Sequence, residues 1–384
     1  MKITDIITHV LSAPLDEPFA SWGGKTTKRS TLLIEVVTDE GITGWGESVC
    51  HGPQPAQIAA SFVEFAFKTL LVGRDPFDVE VIWEEMYNLT RPFGGGAAVN
   101  AISGVDIALW DVIGRALKQP IHKLIGGAFR TELVPYATGF YRVDGKSYPE
   151  EAIAEAKRHL AKGFKAFKLK TGFGVKADLE YIYAIREAVG PDVRIAMDAN
   201  CAYDAATARR ILLESQDAKI HFFEEPLIAE DIEGYKMLRN LTSTYIASGE
   251  NTFGKIGYRH WIAGGALDIL QPDLCSAGGF TECKKIAAMA QAYNTMLIPH
   301  VWGTGIGMAA ALQFIASIPA APLSFNSAEE PMLEYDQSAH PFRDNLINHA
   351  IVMSNGKLRV PTEPGLGVNV NRDVIEQYKQ RVFV

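Results

Sequence analysis

The sequence predicts an α/β chain in which a (β/α)-barrel follows an α+β domain, and three observations carry that prediction. Between Tyr148 and Asn326 one local plan repeats: helix, turn, short apolar strand, turn, which is the alternation of a parallel sheet. With Leu133 to Thr138 in front, eight such strands can be placed, and closing them into a barrel removes the two edges an open sheet would have to protect. Residues before about 125 instead show period-two alternation and a hairpin signal.

In chain order, Ser30 to Val37 alternates as a strand, Asp39-Glu40-Gly41 is the turn, and Thr43 to Glu47 returns. Ala101 to Leu117 has helical periodicity. The first barrel unit opens at Pro149, with Glu150 and Glu151 where the helix dipole favours acids. It closes at Gly163 before the strand Phe164 to Lys170. A helix from about Asp178 to Val189 stops at Gly190-Pro191, and Val193 to Asp198 is the next strand. Later strands end near Glu224, Gly249, Asp273, His300 and Asn326. The expected domains are 1–125, 126–350 and a segment 351–384 that returns to the first domain.

Composition narrows the partners. The 384 residues are 47% hydrophobic and 21% charged, which describes a folded chain with a substantial core rather than a disordered one. The net charge of -8 and the lack of basic runs interleaved with aromatics argue against nucleic acid and against an anionic membrane. No uncharged apolar stretch is long enough to span a bilayer and the start carries an acid, so a cytoplasmic protein is expected. Cys50, Cys201, Cys275 and Cys283 form no CxxC pair and are expected as reduced thiols.

Chemistry is suggested by what stands at the strand ends. A buried parallel strand should be apolar to its last residue, so charged groups placed there are costly unless something compensates them. Lys168 and Lys170, Asp198 with Asn200, Glu224 with Glu225, Glu250 with Asn251, Asp273 and His300 end successive units, and from Asp198 through Glu224, Glu250 and Asp273 to His300 the spacings are 26, 26, 23 and 27 residues, each one βα unit. In a barrel these ends meet at one mouth. Asp198, Glu224 and Glu250 supply three oxygen ligands without Cys or His, which suits a hard cation, Mg²⁺ or else Mn²⁺. The plain alternative is three independent salt-bridged acids. Lys168 and Lys170 share one face of a strand, and a second ammonium and a divalent cation nearby would disfavour the charged form of Lys170, fitting it to act as a base. For this pair alone, two solvated surface lysines would be the ordinary reading. Asp273 can orient one nitrogen of His300 and aim the other at substrate, making a second acid/base. Glu334 stands just after the expected last strand, at the mouth or at the surface. The run Gly303 to Gly307 lacks the Lys-Ser/Thr of a phosphate loop, so no nucleotide or organic cofactor is expected.

As a set, FKLK at Lys170, MDAN at Asp198, FFEEP at Glu224, SGEN at Glu250, LQPD at Asp273 and PH at His300 resemble the enolase superfamily, mandelate racemase subgroup, over essentially the whole chain. The resemblance implies a modified (β/α)7β barrel beneath an N-terminal α+β capping domain and a symmetric homo-oligomer. It implies Mg²⁺ held by Asp198, Glu224 and Glu250, Lys170 as base with Lys168 as its electrostatic partner, and Asp273-His300 as the opposing dyad. Such sites remove the proton α to a carboxylate and stabilise the ene-diolate. Further stretches, DILQPDLCSAGGF and EEPMLEYD among them, are similar to the lactone cycloisomerases and acid-sugar dehydratases of that subgroup. Substrate choice is then expected from Ala20 to Thr27 with Trp22, from about His51 to Pro55, and from Tyr141 and Arg142. The alternatives are racemisation or epimerisation of an amino acid derivative or 2-hydroxy acid by 1,1-proton transfer, and a catalytically silent barrel.

Overall fold

The N-terminal sheet is built on a hairpin longer than the sequence announces. In the computed structural model, which describes residues 1–21, 23–50, 54–93, 95–320 and 330–382, Ile3–Ser21 pairs antiparallel with Gly24–Thr38. Thr43–Ser48 adds the third strand, across the turn expected at Asp39 to Gly41. Pro14 and Pro18 hide the first strand from a propensity reading, and the ladder loses register between Pro14 and Phe19. Helix Ala97–Ala116 lies against this sheet at very short range. A Cβ on Gly46 would come 1.9 Å from the carbonyl oxygen of Gly104, so only glycine permits the approach. This helix alone among the described residues has the length and hydropathy of a membrane span, yet 89% of that window is buried within the protein.

The barrel follows as eight parallel strands, Pro135–Thr138, Ala166–Lys170, Arg194–Asp198, Phe222–Glu224, Tyr245–Ser248, Ile269–Leu270, Met296–Leu297 and Leu333–Asp336. Seven helices alternate with them, from Glu150–Ala161 to Gly305–Ala316, which is the (β/α)7β order. Each helix buries an apolar face on the outside of the sheet, as Tyr181, Ile182 and Ile185 do from Val175–Val189.

Four strand assignments change. The segment expected to end at Asn326 lies outside the described residues, and Leu333–Asp336 takes the eighth place, pairing parallel with Pro135–Thr138. Leu133 belongs with Glu132 to a separate pairing with Leu358–Arg359. The strands expected to run to Asp273 and His300 stop three residues earlier, at Leu270 and Leu297, and beyond the first of them Asp273 accepts a hydrogen bond from the Cys275 amide at 2.7 Å.

Contacts between the regions fix the cap over the mouth. Glu47, fully buried, reaches from the N-terminal sheet to the Gly303 to Gly307 run and accepts from the amides of Thr304 and Gly307 and from the Thr304 hydroxyl at 2.7 to 3.1 Å. Those amides are therefore satisfied by a carboxyl group of the protein itself, one that burial raises above the usual range. The C-terminal stretch lies on the N-terminal sheet, with Arg372 paired to Glu35 and the Gln380 amide donating to Val10 at 2.8 Å. All four cysteines are free thiols, with Cys50, Cys275 and Cys283 buried and Cys201 partly so.

Candidate active site

Backbone register sets the charged strand ends side by side: Lys170 pairs across from Asp198, and Asp198 from Glu224. Lys168 and Lys170 both face inward, 1% and 6% exposed. The Lys168 ammonium contacts Glu224, Glu334 at 2.8 Å and Asp198 at 3.5 Å. Lys170 pairs with Asp198 and donates to the Asn200 amide oxygen at 3.1 Å. Glu224 also accepts from Gln271 at 2.6 Å. On the far side, His300 Nδ1 meets Asp273 at 2.7 Å, and its Nε2 is 3.3 Å from Glu250. Lys170, Glu250, His300 and Glu334 line one cavity of about 350 Å³, roofed by Ser21, Gly23, Gly24, Thr26 and Gln54 from the capping side.

Electrostatics follows from charge packed in a dry place. Burial opposes the charge of Asp198, but Lys170 and Lys168 outweigh it and hold this carboxyl at about 2. Glu334 is likewise held at about 2, against burial, by Lys168 and His300. Glu224 goes the other way. Burial raises it, Lys168 pulls it down, and the carboxylates of Asp198, Glu334 and Glu250 push it back to about 8. His300 is disfavoured as a cation by burial, yet Glu250, Glu334 and Asp273 raise it to about 10, so it is an imidazolium at neutral pH.

Lys170 feels both signs of charge. Burial first, and the Lys168 ammonium as expected, disfavour its charged form, but Asp198, Tyr141 and Glu250 outweigh them and its pKa rises. The reason is the surplus of negative charge around it. Carboxylates that shared their charge with a bound divalent cation would release that hold.

Among the described residues, no group of three carboxylates, thiolates or imidazoles is arranged to hold an ion as it stands, since the expected ligands face ammonium groups and an imidazolium instead. The donor set nevertheless fits a hard divalent cation. Asp198, Glu224 and Glu250 are all-oxygen donors, at most 8% exposed, from three neighbouring strands, and the excess of carboxylate charge that raises Glu224 calls for a further positive charge.

The remaining expected residues divide. Asn200 and Tyr141 line the cavity, with the Tyr141 ring 5.3 Å from the Lys170 ammonium. Glu334 lies within the eighth strand, fully buried, and accepts from Thr138 at 2.6 Å and from the Val301 amide at 2.8 Å. Arg142 does not line the cavity. It turns outward onto the rings of Tyr148, Phe173 and Tyr181, 4.1 to 4.8 Å away, because Ala20 and Phe19 pair with residues 142 and 143 as an edge. Trp22 and residues 51–53 lie outside the described residues. Glu225 and Asn251, expected at the strand ends beside Glu224 and Glu250, line the cavity, and so does Trp302. Neither Gln271, which donates to Glu224, nor Trp302 is singled out by the sequence. The first could have been, because it stands two residues beyond Ile269 on the same inward face. Trp302 is set by Arg29, whose guanidinium lies 3.6 Å over its ring, and no local signal announces that contact.

Comparison with known proteins agrees with this geometry along the whole chain. Residues 3–126 match the model of the mandelate racemase / muconate lactonizing enzyme N-terminal domain, and residues 151–374 that of the enolase C-terminal domain-like family. The D-galactarolactone cycloisomerase of Agrobacterium fabrum is 40% identical over 99% of this chain and 99% of its own length. The D-galactonate dehydratase of Pectobacterium atrosepticum is 35% identical over 99% of this chain and 95% of its own. Among solved structures, the 3,6-anhydro-D-galactonate cycloisomerase of Zobellia galactanivorans superposes with a TM-score of 0.89 at 37% identity, covering 99% of this chain and 100% of that one.

Proposed function

The chain belongs to the mandelate racemase / muconate lactonizing enzyme family of the enolase superfamily, and on that premise we propose that it removes the proton α to the carboxylate of a sugar acid or its lactone and expels the β substituent. The observation that carries this reading is the pair Lys170 and His300, on strands that are not neighbours, lining one cavity with a buried carboxylate cluster. A divalent cation, magnesium by family, would be held by Asp198, Glu224 and Glu250 and would offset the charge that builds on the substrate carboxylate as its α-proton leaves.

Lys170, as the free amine, would take that proton from its side of the cavity and become the ammonium that Asn200 and Tyr141 hold in place. Lys168, buried beneath, keeps Asp198, Glu224 and Glu334 oriented. The roof from the capping domain excludes water, which strengthens each of these charges. The electron pair left on the α carbon forms the new double bond as the bond from the β carbon to oxygen breaks. A lactone oxygen leaves as a carboxylate and needs no proton. A hydroxyl leaves as water, and the His300 imidazolium, fixed by Asp273, has the proton to give. The enol then becomes a keto-deoxy acid.

A second reading has one observation in its favour: with acid/base groups on two sides, His300 can return a proton to the α carbon, which is racemisation or epimerisation. A silent barrel would gain nothing from so many buried ionisable groups at its mouth. The same proposal takes the protein as a homo-oligomer, testable by light scattering. The deciding experiment is proton NMR in D₂O with Mg²⁺ on aldaric lactones, aldonic and aldaric acids and N-acyl amino acids, with Lys170→Ala in parallel. A keto-deoxy product absent from the variant supports elimination. Loss of the α-proton signal without product supports 1,1-proton transfer, and no exchange with any acid overturns both.

A further inference from the structure

Glu225 is the acidic residue of the mouth that the mechanism leaves unused, and burial, with Glu250 and Asp198 beside it, raises its carboxyl well above the usual range. It follows Glu224 directly, so in an extended strand its side chain would face the helices. Its φ is 41°, in the left-handed region where a non-glycine residue is strained, and the side chain lines the cavity instead. Asn200 and Cys201, on the adjoining loop, are also left-handed, at 44° and 64°. The Cys201 amide donates to the Glu225 carbonyl at 2.8 Å, which locks the two loops together. Backbone strain is thus concentrated on one wall of the cavity, which is where binding groups are held in unusual positions.

The carboxyl group itself is half satisfied. Its Oε1 accepts from the Asn251 amide at 2.8 Å, while its Oε2 has no partner although the residue is 1% exposed. A buried polar atom left in that state is costly unless a ligand supplies the partner. We propose that Glu225 binds a hydroxyl group of a polyhydroxylated carboxylate, with Asn251 as the residue that positions it. A hydroxyl, donor and acceptor at once, matches the amides of Asn200 and Asn251 beside it, whereas an ammonium would leave their N–H groups unmatched. The inference rests on the sugar-acid reading and deepens it, because it makes this wall the place where a hydroxylated chain is told from a bare one.

The test is calorimetric binding with Mg²⁺ present, using galactarate and adipate, which share chain length and both carboxylates and differ only in hydroxyls. Wild type is expected to prefer galactarate by about 100-fold or more, since a site built for a hydroxyl rejects an analogue lacking it. Glu225→Leu should lose about 10- to 100-fold in galactarate affinity, and the exposed Asn251→Ala about 3- to 10-fold, with adipate unchanged in both. Melting curves show that each variant is folded, and Glu225→Gln, which keeps shape and a hydrogen-bonding end, covers a Leu variant that does not fold, with an expected loss of about threefold or more. Unchanged galactarate binding in folded variants overturns the inference alone. Equal loss of both diacids overturns it too, since Glu225 would then be supporting the carboxylate end. A wild type that does not favour galactarate over adipate removes the sugar-acid reading and this inference with it.

Discussion

The barrel interior has two layers, and one step along each strand separates them. The lower layer is Tyr136, Ala166, Ala196, Phe222, Ala247, Ile269, Ile298 and Met332, an apolar plug at most 3% exposed. Two residues further on, every chain segment contributes again: Thr138, Lys168, Asp198, Glu224, Gly249, Gln271, His300 and Glu334. The period of two that keeps both sets inward is the same for each; only the side chains change. Below, burial stabilises the fold. Above, burial makes charges interact strongly, because water no longer screens them. The plug is what makes the upper layer dry from beneath, as the cap does from above.

The comparison can be broken most sharply from its upper side. Lys170→Ala should lower turnover per folded molecule by about 10³- to 10⁴-fold, the loss expected of a proton-transfer group, and should lower the melting midpoint of the metal-free protein because buried Asp198 loses that partner; a residual rate above a tenth would take the base role from Lys170. One layer down, Phe222→Ala should act on stability alone. It should cost about 3–5 kcal/mol of stability in urea unfolding, with turnover per folded molecule unchanged. A variant that keeps its stability but loses turnover would show the layers are not separable. Gly249→Ala tests the boundary itself: at a φ of 143°, with an added Cβ 3.0 Å from the Gln271 amide nitrogen, it should cost about 1–3 kcal/mol and displace Gln271 from Glu224. Infrared carboxylate bands of Glu224 would report that displacement.

The smallest effect is on pH dependence. His300 at about 10, above 6.5, contributes stability that is complete below pH 6.5 and lost as the pH rises through 10. Glu224 at about 8, above 4.5, runs the same way, its contribution lost as the pH rises through 8. Asp198 and Glu334, held at about 2, contribute fully above pH 4.5 and lose it as the pH falls through 2. Metal-free protein should therefore weaken as the pH rises from 4.5 to 10, through Glu224 up to about 8 and through His300 up to about 10. Mg²⁺ is bound by ionised carboxylates, so it should raise the melting midpoint more at pH 9 than at pH 6, by about 2 °C or more. Equal shifts at the two pH values would detach the cation from these acids.

How much of this was legible follows from where each signal resides. The helices and most barrel strands could be placed because their pattern is local: Glu150 and Glu151 at a helix start, Gly190 at an end, apolar runs between. Ile3–Ser21 was not seen, because its two prolines contradict a strand until a partner strand holds it. The eighth strand was sought before Asn326, since LEYD, with two acids, does not look buried. Glu334 and Asp336 are compensated by Lys168 and by Arg29 and Arg343, all distant in sequence. Gln271 followed from strand alternation and could have been read; the Arg29 to Trp302 stacking could not.

By itself, then, the sequence determined which residue types stand at the strand ends and at what spacing, since periodicity and side-chain chemistry are properties of neighbours along a chain. Tertiary structure alone decided their charge states and directions. Lys170 is held as an ammonium, Glu224 is pushed toward its neutral form, Arg142 turns out of the cavity and Glu225 turns in. Each of those outcomes depends on burial and on charges brought close from remote segments, and neither distance nor dielectric is written in a local pattern.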